Sequence, residues 1–322
     1  MHSHHSHSGQ YISHGDGLLE DVVEQAVEIG FQTYCLTEHM PRYKETLLYP
    51  EETEKGLSCR DLMEDFKTYY GHARKIQEAI NSDSATPTTI LVGFESEGGI
   101  GDEHLEAAIR IKESLEFEFV VGSVHHVNSI PIDLDRESWI LAKQSCGAGT
   151  MREFFLRYFQ VQQRMLKILK PEVVAHFDLI RLLLTDDDVD EDGRKYADYD
   201  WALDWPDVWK VVEENIEIVV QNNSLIELNS AAIRKGWDSP YPKLDVAKLM
   251  ISKNAKFCLS DDAHSVKQVG LNYAKVLQYA EKSLLLKQIH YLDFDSDGKV
   301  VIKEVDMDAI KEDPFWTRCG ST

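Results

Sequence analysis

The sequence predicts an α/β protein folded as an irregular (β/α) barrel. Short apolar, β-rich runs recur at Phe31–Leu36, Thr89–Phe94, Phe117–Val124, Glu172–Ala175, Leu225–Leu228 and Lys256–Leu259. Helix-like spacing of apolar residues fills most of the gaps, at Leu18–Ile29, Leu62–Ile80, Glu103–Glu116, Arg152–Lys170, Trp205–Val220 and Leu244–Lys253. Such alternation implies parallel strands joined by helical crossovers. The runs are continuous rather than alternating because both faces of such strands are covered.

The residues at the end of each run narrow the fold further. Phe31–Thr37 passes into Glu38-His39, Thr89–Phe94 into Glu95-Ser96-Glu97, and Phe119–Val124 into His125-His126. Val173–Ala175 passes into His176-Phe177-Asp178, Leu225–Leu228 into Asn229-Ser230, and Phe257–Ser260 into Asp261-Asp262-Ala263-His264. A polar residue after one strand carries no information. Six in succession, five of them supplying His, Asp or Glu, exceed what strand termination requires. In a (β/α) barrel the C-terminal strand ends converge on one face, where active sites are built. An open doubly wound sheet would spread these residues along a crevice.

The N-terminus opens on His2-Ser3-His4-His5-Ser6-His7, with His14 a little further on. Two histidines at i and i+2 on a strand face the same way and can grip one metal. His2 with His4 satisfies this as well as His5 with His7. The interleaved serines and the prompt continuation into a helix at Leu18 argue against an added tag. His, Asp and Glu drawn from several strand ends form a mixed nitrogen–oxygen set that suits zinc, iron or manganese rather than calcium. A carboxylate such as Glu95 can bridge two cations. Two metals about 3.5–4 Å apart activate water and neutralise a transferring phosphoryl group. That chemistry needs no Ser or Cys nucleophile, and the chain has no G-x-S-x-G elbow or Walker loop.

Charge and composition limit the partners. A formal charge of −22 on 322 residues repels phosphate backbones, so neither nucleic acid nor an anionic membrane is expected as a partner. The apolar stretches fall far short of the roughly 20 residues that a membrane span needs. Five cysteines without C-x-x-C pairing read as free thiols of a reducing, cytoplasmic compartment, with Cys35 and Cys258 in the core. Residues 1–322 read as one domain with 43% hydrophobic residues, interrupted by insertions at about 42–60 and 185–205 on the active-site side. Asp293, Asp295, Asp297, Gly298 and Glu304 satisfy an EF-hand spacing. The alternation around Asp297-Gly298 instead predicts a C-terminal β-hairpin at about 290–306.

With these residues in place, the chain resembles the PHP (polymerase and histidinol phosphatase) superfamily, and within it the fungal-type monofunctional histidinol-phosphatases. The resemblance covers nearly the whole chain. It rests on His-Ser-His-His-Ser-His-Ser-Gly at 2–9, Leu36-Thr37-Glu38-His39, Val92-Gly93-Phe94-Glu95, Gly122-Ser123-Val124-His125-His126 and His176-Phe177-Asp178-Leu179-Ile180-Arg181. Glu227-Leu228-Asn229-Ser230, Ser260-Asp261-Asp262-Ala263-His264 and Asp-Pro-Phe-Trp at 313–316 complete it.

The resemblance implies a distorted (β/α)7 barrel with three divalent metal ions, zinc before iron or manganese, at the C-terminal strand ends. It places one metal on His5, His7, Glu95 and Asp262, a second on Glu95, His125 and His176, and a third on His14, His39 and His264. The spacing from His7 to His14 is stretched relative to the family. Asp261 rivals Asp262, which keeps the i, i+2 relation to His264. The implied reaction is hydrolysis of L-histidinol phosphate, a small phosphomonoester, in histidine biosynthesis. Asp262 and Glu95 would act at the reacting centre, and Arg181 and Arg234, with Arg42 as a third candidate, would hold the phosphate. The substrate's amine and imidazole would face Glu97 or the acidic 185–200 stretch. A broader phosphoesterase acting on nucleotides is the first alternative, and a non-catalytic metal-binding protein the second.

Overall fold

In the computed structural model, which describes residues 1–319, seven parallel strands form one sheet. They are β1 (His2–Ser3), β2 (Thr33–Leu36), β3 (Thr89–Gly98), β4 (Phe119–Val124), β5 (Val173–Val174), β6 (Leu225–Asn229) and β7 (Lys256–Ser260). Their order in space is their order in sequence, and each neighbouring pair is parallel. Beyond β7 and β1 the chain closes the ring. His4 N donates to Leu259 O at 3.2 Å, Asp262 N to His5 O at 3.0 Å, and His7 N to Ala263 O at 2.7 Å. The barrel is distorted because β1 and β5 hold only two regular residues each.

The crossovers are α1 (Leu19–Ile29), α2 (Cys59–Ser82), α3 (Asp102–Leu115), α4 (Met151–Leu169), α5 (Pro206–Gln221) and α6 (Leu244–Ser252). Their ends are set by local chemistry. The Ser58 side chain accepts from Asp61 N and the Thr150 side chain from Glu153 N, caps of about 1 kcal/mol each. Pro206 opens α5 at a position where its missing N–H costs nothing. Gly30 ends α1 at φ 91°, in the left-handed region.

Strand residues divide between two apolar layers, as period-two geometry demands. Ile90, Val92 and Phe94 pack toward the helices, while Leu91 joins Cys35, Phe119, Val121, Val173, Leu225 and Cys258 in a second, interior cluster. The predicted hairpin is present as β8 (Gln288–Phe294) and β9 (Val300–Asp306), paired antiparallel. Leu292 of β8 completes the interior cluster, and Tyr291 stacks on His2 at 3.7 Å, so the hairpin closes the barrel end opposite the ligand-bearing strand ends. Its acidic residues have partners within the hairpin. Asp295 Oδ1 accepts from Asp297 N and Lys299 N, and Asp293 Oδ2 pairs with Lys303 Nζ.

The 42–60 excursion carries a short helix, Pro50–Glu54, before α2 begins. The 185–205 excursion folds onto itself: Asp190 Oδ1 accepts from Asp192 N and Arg194 N, and Arg194 pairs with both oxygens of Asp204. No described helix is long and apolar enough to cross a membrane.

Candidate metal centre

Strand β3 runs four residues past the predicted Phe94, so Glu95 and Glu97 lie on the strand and share its inward face. Glu95 is the hub. Its Oε2 lies 3.3 Å from His5 Nε2, 3.5 Å from His7 Nε2 and 2.8 Å from His39 Nδ1. Its Oε1 lies 3.3 Å from His125 Nε2 and 3.4 Å from His176 Nε2, and accepts from Ser123 Oγ. Asp262 Oδ1 faces the same group, 3.7 Å from His5 Nε2 and 3.6 Å from His7 Nε2. Asp262 holds φ 48°, a left-handed conformation that costs about 1–2 kcal/mol outside glycine.

The donor set fits divalent ions. His5 and His7 point Nε2 at one another at 3.0 Å, as His125 and His176 do at 3.1 Å, and all four rings are buried. Imidazole nitrogens brought together around buried carboxylates offer the mixed nitrogen–oxygen donor set that a divalent cation takes once it displaces their protons. Three groups of ligand atoms are close enough to share an ion: His5, His7 and Glu95; Glu95, His125 and His176; and His7, His39 and His264. His14 stands next to the third group, its ring 5.3 Å from that of His39 and 5.1 Å from that of His264.

Three carboxylates stand behind the histidines. Glu227 Oε1 is 2.8 Å from His5 Nδ1, Glu97 Oε1 is 3.1 Å from His125 Nδ1, and Glu38 Oε2 is 3.6 Å from His7 Nδ1. Glu227 and Glu97 hold the far ring nitrogen and leave Nε2 aimed at the centre, the usual way of fixing a ligating imidazole's tautomer, whereas Glu38 lies near His7 without a hydrogen bond to it. No spacing or motif points to these placements for any of the three. Glu38 adjoins His39 and Glu97 sits two residues after Glu95, whereas Glu227 is the one charge inside the Leu225–Leu228 run.

Contacts separate the side chains of two choices that the sequence left open. His4 is held by Leu259 O at Nδ1 and by Leu292 N at Nε2, and His2 stacks on Tyr291, so it is His5 and His7 that converge. Asp261 is turned away, accepting from Ser3 Oγ, Ala263 N and Gly270 N, and burial raises its carboxyl to about 6.

Of the three arginines, Arg234 alone lines the large cavity above the cluster, about 300 Å3 in volume. Its Nη atoms donate to Asp261 O and Asp262 O at 3.3 and 3.0 Å. Arg181, expected to bind phosphate, does not line that cavity. It is buried, pairs with both oxygens of Asp245 at 2.8 and 2.7 Å, and lies 3.4 Å over the Trp201 ring. Arg42 lies 3.9 Å over Tyr49 and 3.5 Å from Glu52, beside His14 and His39 in a smaller recess.

Burial opposes protonation of His5, but Glu95, Asp262 and Glu227 outweigh it and hold the imidazolium well above its ordinary range. His125 is likewise raised against burial by Glu97 and Glu95. Burial lowers His39 to about 4, so it is already neutral. Metal uptake near pH 7 must therefore displace protons from His5 and His125, and affinity must fall as pH drops. Calorimetric titration in buffers of different ionisation enthalpy should show a buffer-dependent heat. Identical heats in all buffers would contradict these protonation states.

Residues 3–231 match the PHP domain family. The chain belongs to that family. It is 37% identical to a histidinol-phosphatase of Saccharomyces cerevisiae, over 98% of this chain and 99% of the relative. It is 36% identical to a probable histidinol-phosphatase of Schizosaccharomyces pombe, over 96% and 95%. Among solved PHP-type folds, a putative histidinol phosphatase of Listeria monocytogenes superposes with a TM-score of 0.68 at 19% identity, covering 85% of this chain and 99% of the other. A histidinol phosphate phosphatase of Lactococcus lactis, complexed with zinc, L-histidinol and phosphate, superposes with a TM-score of 0.63 at 15% identity, covering 93% and 98%.

Proposed function

We propose that this PHP-family chain hydrolyses L-histidinol phosphate to L-histidinol and phosphate. The observation that carries the reading is a buried histidine–carboxylate cluster at the floor of a cavity whose wall bears Arg234 and Lys235. Near-full-length likeness to the S. cerevisiae histidinol-phosphatase supports the substrate.

The ligand sets are His5, His7, Glu95 and Asp262 for one ion, Glu95, His125 and His176 for a second, and His39 and His264 with His14 or His7 for a third. Zinc is the proposed metal, in keeping with the zinc of the L. lactis structure. Bound there, the ions would supply an activated water and absorb charge on the phosphoryl oxygens. The chain's own residues do the rest. Two bonds to the backbone carbonyls of Asp261 and Asp262 fix the Arg234 fork, which keeps further N–H groups for phosphate oxygens. Asp262 lines the same cavity, and its carboxylate, held ionised beside His5 and His7, can accept a proton from the attacking water and pass it to the departing alkoxide.

Arg234→Ala should lower kcat/KM by about a hundredfold, as the loss of one charge-stabilising donor does. Arg181→Ala should act on folding instead, lowering the unfolding free energy by about 2–3 kcal/mol through loss of its ion pair and stacking. The reverse assignment of the two effects, read by steady-state kinetics and urea unfolding, would move the phosphate site to Arg181. The function itself is tested by phosphate release. Metal-loaded protein should prefer L-histidinol phosphate to nucleoside monophosphates and lose turnover on chelation. Preference for nucleotides, or activity that survives metal removal, would refute the proposal.

A further inference from the structure

A substrate carrying an amine and an imidazole brings positive charge to the end remote from its phosphate. The acidic groups expected from the sequence at this end, Glu97 and those of the 185–200 stretch, do not line the cavity. Glu97 Oε1 is shared by His125 Nδ1 and His126 Nδ1, both at 3.1 Å. In the 185–200 stretch, Asp188 is taken by Arg136 and Thr185, and Asp190 by Tyr199 and its own turn. None of these carboxylates lines the large cavity.

Two others do. Asp133 and Glu51 are half-buried in the wall of the cavity that also holds Arg234 and Lys235. Among the described residues, no hydrogen bond or ion pair engages either carboxylate, whereas most buried or half-buried acids in this chain are paired. Local backbone structure delivers both. After β4, His126–Val127 pairs back on Ile130–Pro131, and Ile132 N donates to His125 O at 2.9 Å, which brings Asp133 over the strand end. Glu51 is in the first turn of the Pro50–Glu54 helix, directly after Tyr49, another wall residue.

We infer that Asp133 and Glu51 form the cation-recognising side of the cavity and select phosphomonoesters that carry an ammonium or imidazolium away from the phosphate. The inference rests on the proposed histidinol phosphate reading and deepens it. A basic wall at Arg234 and Lys235 with an acidic wall at Asp133 and Glu51 orients a dipolar substrate and disfavours nucleotides, whose remote end offers no such cation.

The test compares Asp133→Asn, Glu51→Gln and the double variant with wild type, all metal-loaded, on L-histidinol phosphate and phenyl phosphate. The ratio of kcat/KM between the two substrates should fall by about tenfold or more in the double variant, chiefly through KM for histidinol phosphate. Calorimetry with L-histidinol, which lacks the phosphate, should show weakened binding in the same variant. A ratio within about twofold of wild type, with unweakened histidinol binding, overturns the assignment. Equal loss on both substrates also overturns it, because it marks a structural role. Wild type that turns over phenyl phosphate but not histidinol phosphate overturns the functional reading instead. The acidic wall then stands or falls on L-histidinol binding alone.

Discussion

Replacing Glu95 by glutamine should lower turnover by at least about a thousandfold, beyond the usual cost of removing a single charge-stabilising group. The carboxylate is fully buried, and its two oxygens serve different histidine sets, Oε2 toward His5, His7 and His39 and Oε1 toward His125 and His176. Glutamine keeps the shape but turns one of those oxygens into an NH2 donor, which cannot ligate and which faces imidazole nitrogens. Elemental analysis should show metal lost together with activity, while circular dichroism stays native. Full metal content with wild-type turnover would remove Glu95 from the centre of the cluster.

The same substitution has a pH signature in metal-free protein. Burial would raise the Glu95 carboxyl, but the charges of His5 and His125 outweigh it and hold the group well below its ordinary range. A depressed carboxylate contributes stability above its unfolded pKa, about 4.3, and loses it as pH falls through the lower folded value. The stability gap between wild type and Glu95→Gln, measured by urea unfolding in chelator, should therefore be widest near neutrality and shrink in acid. A gap that widens in acid would reverse the sign.

The barrel was legible because its candidate ligands sit where regular structure ends. Apolar runs mark the strands, and the first polar residues after them mark the rim, so His39, His125 and His176 could be read from position, while Asp261 and Asp262 at one strand end stayed rivals. Three features escaped for physical reasons. Strand β3 continues through Glu95 and Glu97 because buried imidazoles satisfy those carboxylates, while a hydropathy pattern ends at Phe94. Arg181 sits in a family motif, yet Asp245, sixty-four positions on, and Trp201 capture it, and spacing carries no trace of such long-range partners. Asp133 has no periodic or motif signal, because a short backbone ladder after β4 carries it to the cavity.

Glu227 is the sharpest case of a residue hidden by its surroundings, and its substitution should have the second-largest effect. Glu227→Gln should weaken metal binding and activity by about 10–100-fold, the range for carboxylates that orient ligating histidines. The side chain is fully buried with every bond specified. Oε1 meets His5 Nδ1 at 2.8 Å, and Oε2 accepts from His176 N at 3.1 Å and Asn229 Nδ2 at 2.8 Å. Glutamine cannot reproduce this in either orientation. With its oxygen toward His5, the amide NH2 opposes two N–H donors, leaving buried groups unsatisfied at about 1–3 kcal/mol. With the NH2 toward His5, Nδ1 must accept, so the ring carries its proton on Nε2 and presents a donor where a metal ligand is required. Competition with a chelator of known affinity should therefore show weakened metal uptake, and excess metal should restore part of the lost turnover. Wild-type affinity in this variant would mean that His5 is oriented by something other than Glu227.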